Sequence, residues 1–260
     1  MEQTYTVITG ASSGIGRAAA LAFARRGHHL IVCARREEGL RSLREEIAGA
    51  CPGVDVAVLT ADLSVPEEVY RFYEATRAYS LRLWINSAGF GDYGAVAGGS
   101  PEKYEAMIRL NVSAVTVLST LFARDYRDRD GAQLINISSA GGYTIVPNAV
   151  VYCATKFYVS AFTEGLAREL KTSGALLRAK VLAPSVTRTG FGQAATGDVG
   201  YDYDRRFEKY HTVEEMAGFL MDLYDGGETV GIVDRQTFAF GRTAPRFPYA
   251  GGASDGPVLS

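Results

Sequence analysis

Thr9-Gly10-Ala11-Ser12-Ser13-Gly14-Ile15-Gly16 is the stretch on which the fold turns. It follows a short apolar, β-branched run from Tyr5 to Thr9. It leads into Ile15, Ala18, Ala19, Ala22 and Phe23, which recur at helical spacing as far as Arg26. Gly27 stops that helix, and His29 to Ala34 reads as a second buried strand. Strand, glycine turn, helix and strand make a βαβ unit. Glycines in such a turn let the chain reverse sharply and let backbone approach a pyrophosphate. The unpaired N–H groups and dipole of the helix start favour an anion there. The spacing is not G-x-G-x-x-G, and with no Lys after Gly16 it is not a Walker-type loop, so an ATPase is disfavoured. A glycine turn with no ligand is the bland alternative; the strand–turn–helix context argues against it.

The alternation continues outward. Helices are predicted over Arg36 to Ala48, from the Ser64-Val65-Pro66-Glu67 capping-box spacing to about Tyr79, from Ser100-Pro101 to about Tyr126, over Val150 to Leu170, and from Thr212 to Tyr224. Strands are predicted over Asp55–Thr60, Leu81–Ile85, Leu134–Ile137, Arg178–Leu182 and Thr229–Val233. Strands separated by helices of this length predict an α/β fold: a mostly parallel sheet of about seven strands with helices on both faces. One domain over residues 1–240 is expected. Residues 241–260, rich in Pro and Gly, read as an irregular or disordered tail. Residues 190–209 read as a long loop of the kind that forms lids.

Composition narrows the class. Over 260 residues, 27 Lys+Arg face 29 Asp+Glu, so neither nucleic acid nor an anionic membrane is an expected partner. Cys33, Cys51 and Cys153 show no C-x-x-C spacing, and with only His28, His29 and His211 a metal site is not expected. Absent an apolar run of spanning length or a signal-like N-terminus, a cytoplasmic location is expected. Trp84 reads as core, Cys153 as a packed small residue, and 125–130 as a solvated, charge-alternating surface.

Two further groups carry chemistry. The second strand ends Cys33-Ala34-Arg35-Arg36, where an NAD site would place an acid for the ribose hydroxyls. Two guanidiniums there favour a cofactor with a 2′-phosphate, NADP, against the plainer reading of a solvated helix start. Tyr152 and Lys156 lie four apart and share a helix face, while Ser139 lies at a strand end thirteen positions earlier. Tyr152 can donate a proton to a carbonyl oxygen, Lys156 can favour the phenolate, and Ser139 can bond to the oxygen as it gains charge.

With these residues in view, the sequence resembles the short-chain dehydrogenase/reductase family. Thr9-Gly10-x-x-x-Gly14-x-Gly16 matches its cofactor turn. Asp62-Leu63 matches its adenine-contacting acidic position, and Asn86-Ser87-Ala88-Gly89 its N-N-A-G stretch with Ser87 for the second Asn. Asn111 falls at its structural-catalytic Asn, and Ser139, Tyr152 and Lys156 at its catalytic residues. The resemblance implies a Rossmann-type domain with the cofactor half at 1–150 and hydride transfer between NADP(H) and a small, apolar carbonyl or alcohol. It also implies a homodimer or homotetramer joined through the long helices.

The implied cofactor set is Gly10, Ser12, Ser13, Gly14, Ile15, Gly16, Arg35, Arg36, Asp62, Leu63, Asn86, Ala88, Gly89, Tyr152, Lys156, Pro184, Thr187 and Thr189. In Pro184-Ser185-Val186-Thr187-Arg188-Thr189 the family's Gly and Val are replaced by Ser185 and Thr187. Phe90, Tyr93, Tyr143, Val146 and Phe191 are the expected substrate walls, with Thr144 beside them. A cofactor-retaining isomerase or dehydratase, and a dinucleotide-sensing regulatory protein, are the alternative functions.

Overall fold

The computed structural model describes residues 3–250. The expected tail from 251 onward lies outside the described residues. The strands are β1 (Tyr5–Thr9), β2 (His29–Ala34), β3 (Val56–Thr60), β4 (Leu81–Asn86), β5 (Gln133–Ile137), β6 (Arg178–Ala183), β7 (Val230–Val233) and β8 (Phe240–Thr243). They form one sheet in the order β3-β2-β1-β4-β5-β6-β7-β8, all parallel except the last pair. The order reverses direction at β1, which lies between β2 and β4, and a crevice for ligands opens beyond the strand C-termini at such a reversal.

The helices are α1 (Gly14–Arg25), α2 (Glu37–Ala50), α3 (Pro66–Thr76), α4 (Pro101–Ile108), α5 (Val115–Tyr126), α6 (Val150–Thr172), α7 (Phe191–Thr196), α8 (Tyr203–Arg206) and α9 (Val213–Asp225). Strand residues alternate between two apolar layers because successive side chains point to opposite faces. Ile8, Leu30 and Val32 join Phe23, Leu40, Leu43 and Leu220 from α1, α2 and α9. Val7, Ile31 and Cys33 join Phe72, Tyr73, Leu118 and Phe122 from α3 and α5, with Trp84 completely buried among them.

Several expectations change. The sheet has an eighth, antiparallel strand in the stretch read as irregular. Asp234 builds the turn into it: its Oδ1 accepts the N–H groups of Gln236 and Thr237 and the Thr237 hydroxyl. A four-residue edge strand containing Gly241 carries too little pattern to announce itself. The 190–209 stretch folds into α7 and α8. At α3 the cap is Val65, not Ser64: Ser64 donates from N–H and Oγ to Asp62, and Glu68 reaches back to the Asp62 N–H. Thr212 and Glu215 do form a reciprocal capping box.

The long helix from Pro101 widens into π turns over Arg109–Ala114 before continuing as α5. Polar residues interrupt it, so it is no unbroken apolar run. An 18-residue window of it nevertheless reaches a mean hydropathy of 1.5, and the 26 residues are long and apolar enough to cross a membrane by length and composition alone. Its inner face, including Met107, Ala114, Leu118 and Phe122, is packed inside the protein.

Candidate active site

One cavity of about 990 Å³ collects the segments that follow β1, β2, β3, β4, β5 and β6. Its first wall is the glycine turn. Gly10 takes φ +69°, and a Cβ there would lie 2.8 Å from the Ala88 Cα; a Cβ on Gly16 would lie 2.5 Å from the Gly10 carbonyl oxygen. Only glycine permits either approach. Thr9 Oγ1 accepts the N–H groups of Ser87 (3.0 Å) and Ala88 (3.1 Å), tying the turn after β1 to the turn after β4. No side chain caps α1, so its first N–H groups are left for an anion, with Ser12, Ser13, Gly14, Ile15 and Gly16 lining the cavity beside them. That donor set fits the pyrophosphate of a dinucleotide.

Arg35, Arg36, Asp62 and Leu63 line the same end. Arg36 Nη2 is 3.5 Å from Ser13 Oγ, and Arg35 Nη1 is 3.9 Å from Asp62 Oδ2. Burial pushes the Asp62 carboxyl up, but two hydrogen bonds from Ser64 and the Arg35 charge outweigh it and hold the pKa below its usual value. Ala88, Gly89, Pro184, Thr187 and Thr189 complete the wall. Thr187 Oγ1 donates to the Ser185 carbonyl, whereas Thr189 Oγ1 accepts the Phe191 N–H and keeps its own proton available.

Ser139, Tyr152 and Lys156 open into the cavity together. Glycine again sets the approach: a Cβ on Gly142 would lie 2.5 Å from Ser138 Oγ and 2.6 Å from the Lys156 carbonyl oxygen. The turn holding Ser139 is thereby seated on α6, which carries Tyr152 and Lys156, with Ser138 Oγ donating to the Lys156 carbonyl (2.9 Å). Lys156 Nζ donates to the Ile137 carbonyl at 2.9 Å and lies 5.8 Å from the centre of the Tyr152 ring. Burial draws the Lys156 pKa down to about 8. The expected lowering of the Tyr152 pKa by Lys156 is absent in the protein alone: burial raises the phenol well above its usual value, and the opposing influence is a hydrogen bond with Ser139. The phenol is held neutral, the form that gives up a proton.

Four expected residues do not reach the cavity. Asn86 is buried in a polar network: its Oδ1 accepts the Trp84 indole N–H (2.8 Å), and its Nδ2 donates to Asn136 Oδ1 (2.9 Å) and Ser119 Oγ (3.1 Å). Asn136 in turn donates to Thr163 Oγ1 on α6. All polar atoms of the Asn86 side chain serve this junction of sheet and helices. Tyr143 turns away, its hydroxyl donating to the buried carboxylate of Glu164 (2.6 Å) and its ring stacking on Phe247 (5.3 Å); Thr144 does not line the cavity either. Asn111 stands behind the wall in the π-widened turn. It donates to the Phe90 carbonyl (2.9 Å) and Thr155 Oγ1 (3.1 Å) and accepts the Phe90 N–H (3.2 Å).

Phe90, Tyr93, Val146 and Phe191 do line the far end, joined by Asn148, Gln193, Arg206, Phe207 and Arg235. Tyr93 N–H donates to the Ala195 carbonyl and Gly94 N–H to the Asn148 carbonyl, so three loops are laced together above Tyr152. The sequence reading did not place Asn148, Gln193 or Arg235 in the site. They lie on connections whose course depends on α7 and on the β7–β8 hairpin.

Comparison with known proteins agrees with this geometry. A family model described as short chain dehydrogenase matches residues 4–199. The chain is 34% identical over 191 residues to the Gallus gallus protein named dehydrogenase/reductase SDR family member 11, covering 71% of this chain and 75% of that one. Among solved structures, it is similar to a short-chain dehydrogenase from Sphingobium yanoikuyae in complex with NADPH (32% identity, TM-score 0.80, 88% and 87% of the two chains). It is also similar to a bulky-bulky ketone specific alcohol dehydrogenase from Comamonas testosteroni (26% identity, TM-score 0.74, 89% and 86%). With this fold, this cavity and these matches, the chain belongs to the short-chain dehydrogenase family and is an oxidoreductase of that type.

Proposed function

We propose that the protein is an NADP(H)-dependent carbonyl reductase in which Tyr152 is the proton donor. The observation that carries the reading is the convergence of Ser139, Tyr152 and Lys156 in the cavity onto which the uncapped start of α1 opens. The dinucleotide bound there supplies the hydride. The N–H groups of the Gly10–Gly16 turn would hold its pyrophosphate, Arg35 and Arg36 would pair with a 2′-phosphate, and Thr189 would take the carboxamide. Lys156 would bond to its ribose hydroxyls. Ser139 donates to the carbonyl oxygen of the substrate, and Tyr152 passes its proton to that oxygen as charge develops. Asn111 acts from behind, fixing the 89–90 segment next to Lys156.

The NADPH-bound Sphingobium relative supports the cofactor choice. Exposed Ile108, Val150 and Tyr158 on the long helices support pairing of two copies there.

Paired titrations of the purified protein with NADPH and NADH test the reading. NADPH is expected to bind far more tightly, and the preference should disappear in an Arg35→Ala/Arg36→Ala variant. Tyr152→Phe should keep cofactor binding while kcat for carbonyl reduction falls about a thousandfold. Unchanged turnover in that variant overturns the mechanism.

A further inference from the structure

The charges along the cavity are unevenly matched. Six ionisable side chains of formal charge line it: Arg35, Arg36, Asp62, Lys156, Arg206 and Arg235. Asp62 is the sole acid, although the whole chain carries a formal net charge of -2. At the cofactor end, Arg35 and Arg36 have a phosphate to bind under the reading above. At the far end the acids of the α7–α8 region are spent on their own arginines. Asp198 pairs with Arg206 (2.7 Å), Asp202 with Arg205 (3.3 Å) and Asp204 with Arg188 (3.3 Å).

Arg235 is left over. Among the described residues no carboxylate lies within ion-pair distance of it. Its neighbour Asp234 commits Oδ1 to the turn, which fixes the backbone from which Arg235 extends. Arg235, Tyr93 and Tyr152 line the same cavity. Burial raises the Tyr93 phenol, and the Arg235 charge is close enough to pull it the other way. Tyr93 also senses Cys153, the residue after Tyr152. The same cavity is walled by the aromatic rings of Phe90, Tyr93, Phe191 and Phe207, with Phe191 against the Tyr152 ring. One cavity thus holds the Tyr152 hydroxyl, aromatic walls and a guanidinium without a carboxylate partner.

Resting on the carbonyl-reductase reading, we infer that Arg235 selects substrates with a carboxylate at the end remote from the reacting carbonyl: ketones or aldehydes with an apolar body and an acid terminus. A planar guanidinium matches a carboxylate with two parallel hydrogen bonds. A dianionic phosphate would call for a second cation, and the nearby Arg206 is already held by Asp198 and lies over the Tyr201 ring.

The test uses matched pairs: para-acetylbenzoate and its longer biphenyl homologue, each beside its methyl ester. Binding to the NADPH complex is measured by calorimetry, and turnover by NADPH oxidation. For the homologue whose length reaches Arg235, the acid is expected to bind about tenfold more tightly than the ester. The ratio should fall to about one in Arg235→Gln and below one in Arg235→Glu, and should shrink with added salt. Equal binding of acids and esters in the wild type overturns the inference. So does a ratio unmoved by either substitution, or an equal loss on acids and esters, which would assign Arg235 to holding the hairpin. An Arg235-dependent binding preference without NADPH oxidation by any pair would instead count against the reductase reading itself.

Discussion

Phe191 lies against Tyr152, ring centres 5.3 Å apart and planes inclined at 57°, and Gly91 supplies the gap that lets it do so. A Cβ on Gly91 would run into the Phe191 ring and come within 3.2 Å of Tyr152 Cδ2. Gly91→Ala should therefore push Phe191 off its seat and disturb the proton donor. We expect kcat/KM to fall by about ten- to a hundredfold. A Gly91→Ala/Phe191→Ala double variant should recover much of the loss, because the colliding ring is gone. A double-mutant cycle on steady-state rates checks both.

Lys156 gives the reaction a pH signature. Burial lowers its pKa from the ordinary lysine value to about 8, so the ammonium is lost as pH rises through about 8. On the proposed mechanism reduction needs both that cation and a protonated Tyr152, and both are retained at lower pH. Carbonyl reduction should fall above about pH 8, read as kcat against pH. For stability, the unfolded chain binds more protons between about 8 and the ordinary lysine value, so the cost of the buried charge is borne below 8 and relieved as pH climbs through that window. Lys156→Met should accordingly melt higher at neutral pH, by about 2 kcal/mol, while turnover is lost.

Asn86 behaves as a structural residue. Asn86→Leu would leave the buried Trp84 N–H without its acceptor and take one hydrogen bond each from Ser119 and Asn136. A loss of about 2–3 kcal/mol is expected in denaturant unfolding. The NADPH dissociation constant should stay at its wild-type value. A variant of unchanged stability with weakened NADPH binding would return Asn86 to the cofactor site.

Glu164 is a second buried anchor, 2% exposed. Its Oε1 accepts from the Tyr143 hydroxyl, and its Oε2 accepts the backbone N–H groups of Arg246 (2.6 Å) and Phe247 (2.9 Å). Glu164→Gln places an amide where three donors converge and should cost about 2 kcal/mol in thermal unfolding. Tyr143→Phe, which removes one donor, should cost about 1 kcal/mol.

The sequence made most of the scaffold readable because its signals are local. Buried parallel strands are short apolar runs, the helices between them have a 3.6-residue period, and the glycine turn has a spacing that can be counted. Ser139, Tyr152 and Lys156 could be placed because two share a helix face and the third follows a strand. What escaped depends on distant partners. Asn86 looks like a site residue until Asn136, fifty positions on, is seen to consume it. Tyr143 looks like a substrate wall until Glu164 and Phe247 claim its two ends. Val65 rather than Ser64 caps α3 because Asp62 captures the serine, a competition between neighbours that spacing does not rank. Arg235 is unremarkable until the ion pairs around α8 show which charges are already matched.

The clamp at Glu164 also orders events in time. The turn that begins at Ser139 exits at Tyr143, which is braced through Glu164 by residues 246 and 247, about a hundred positions farther along the chain. Chains emerge from the ribosome N-terminus first. The first strands and glycine turn can therefore assemble on a nascent chain whose Ser139 turn still lacks its brace. On that schedule a chain stopped short of Arg246 would keep its glycine turn while the turn from Ser139 to Tyr143 stayed slack.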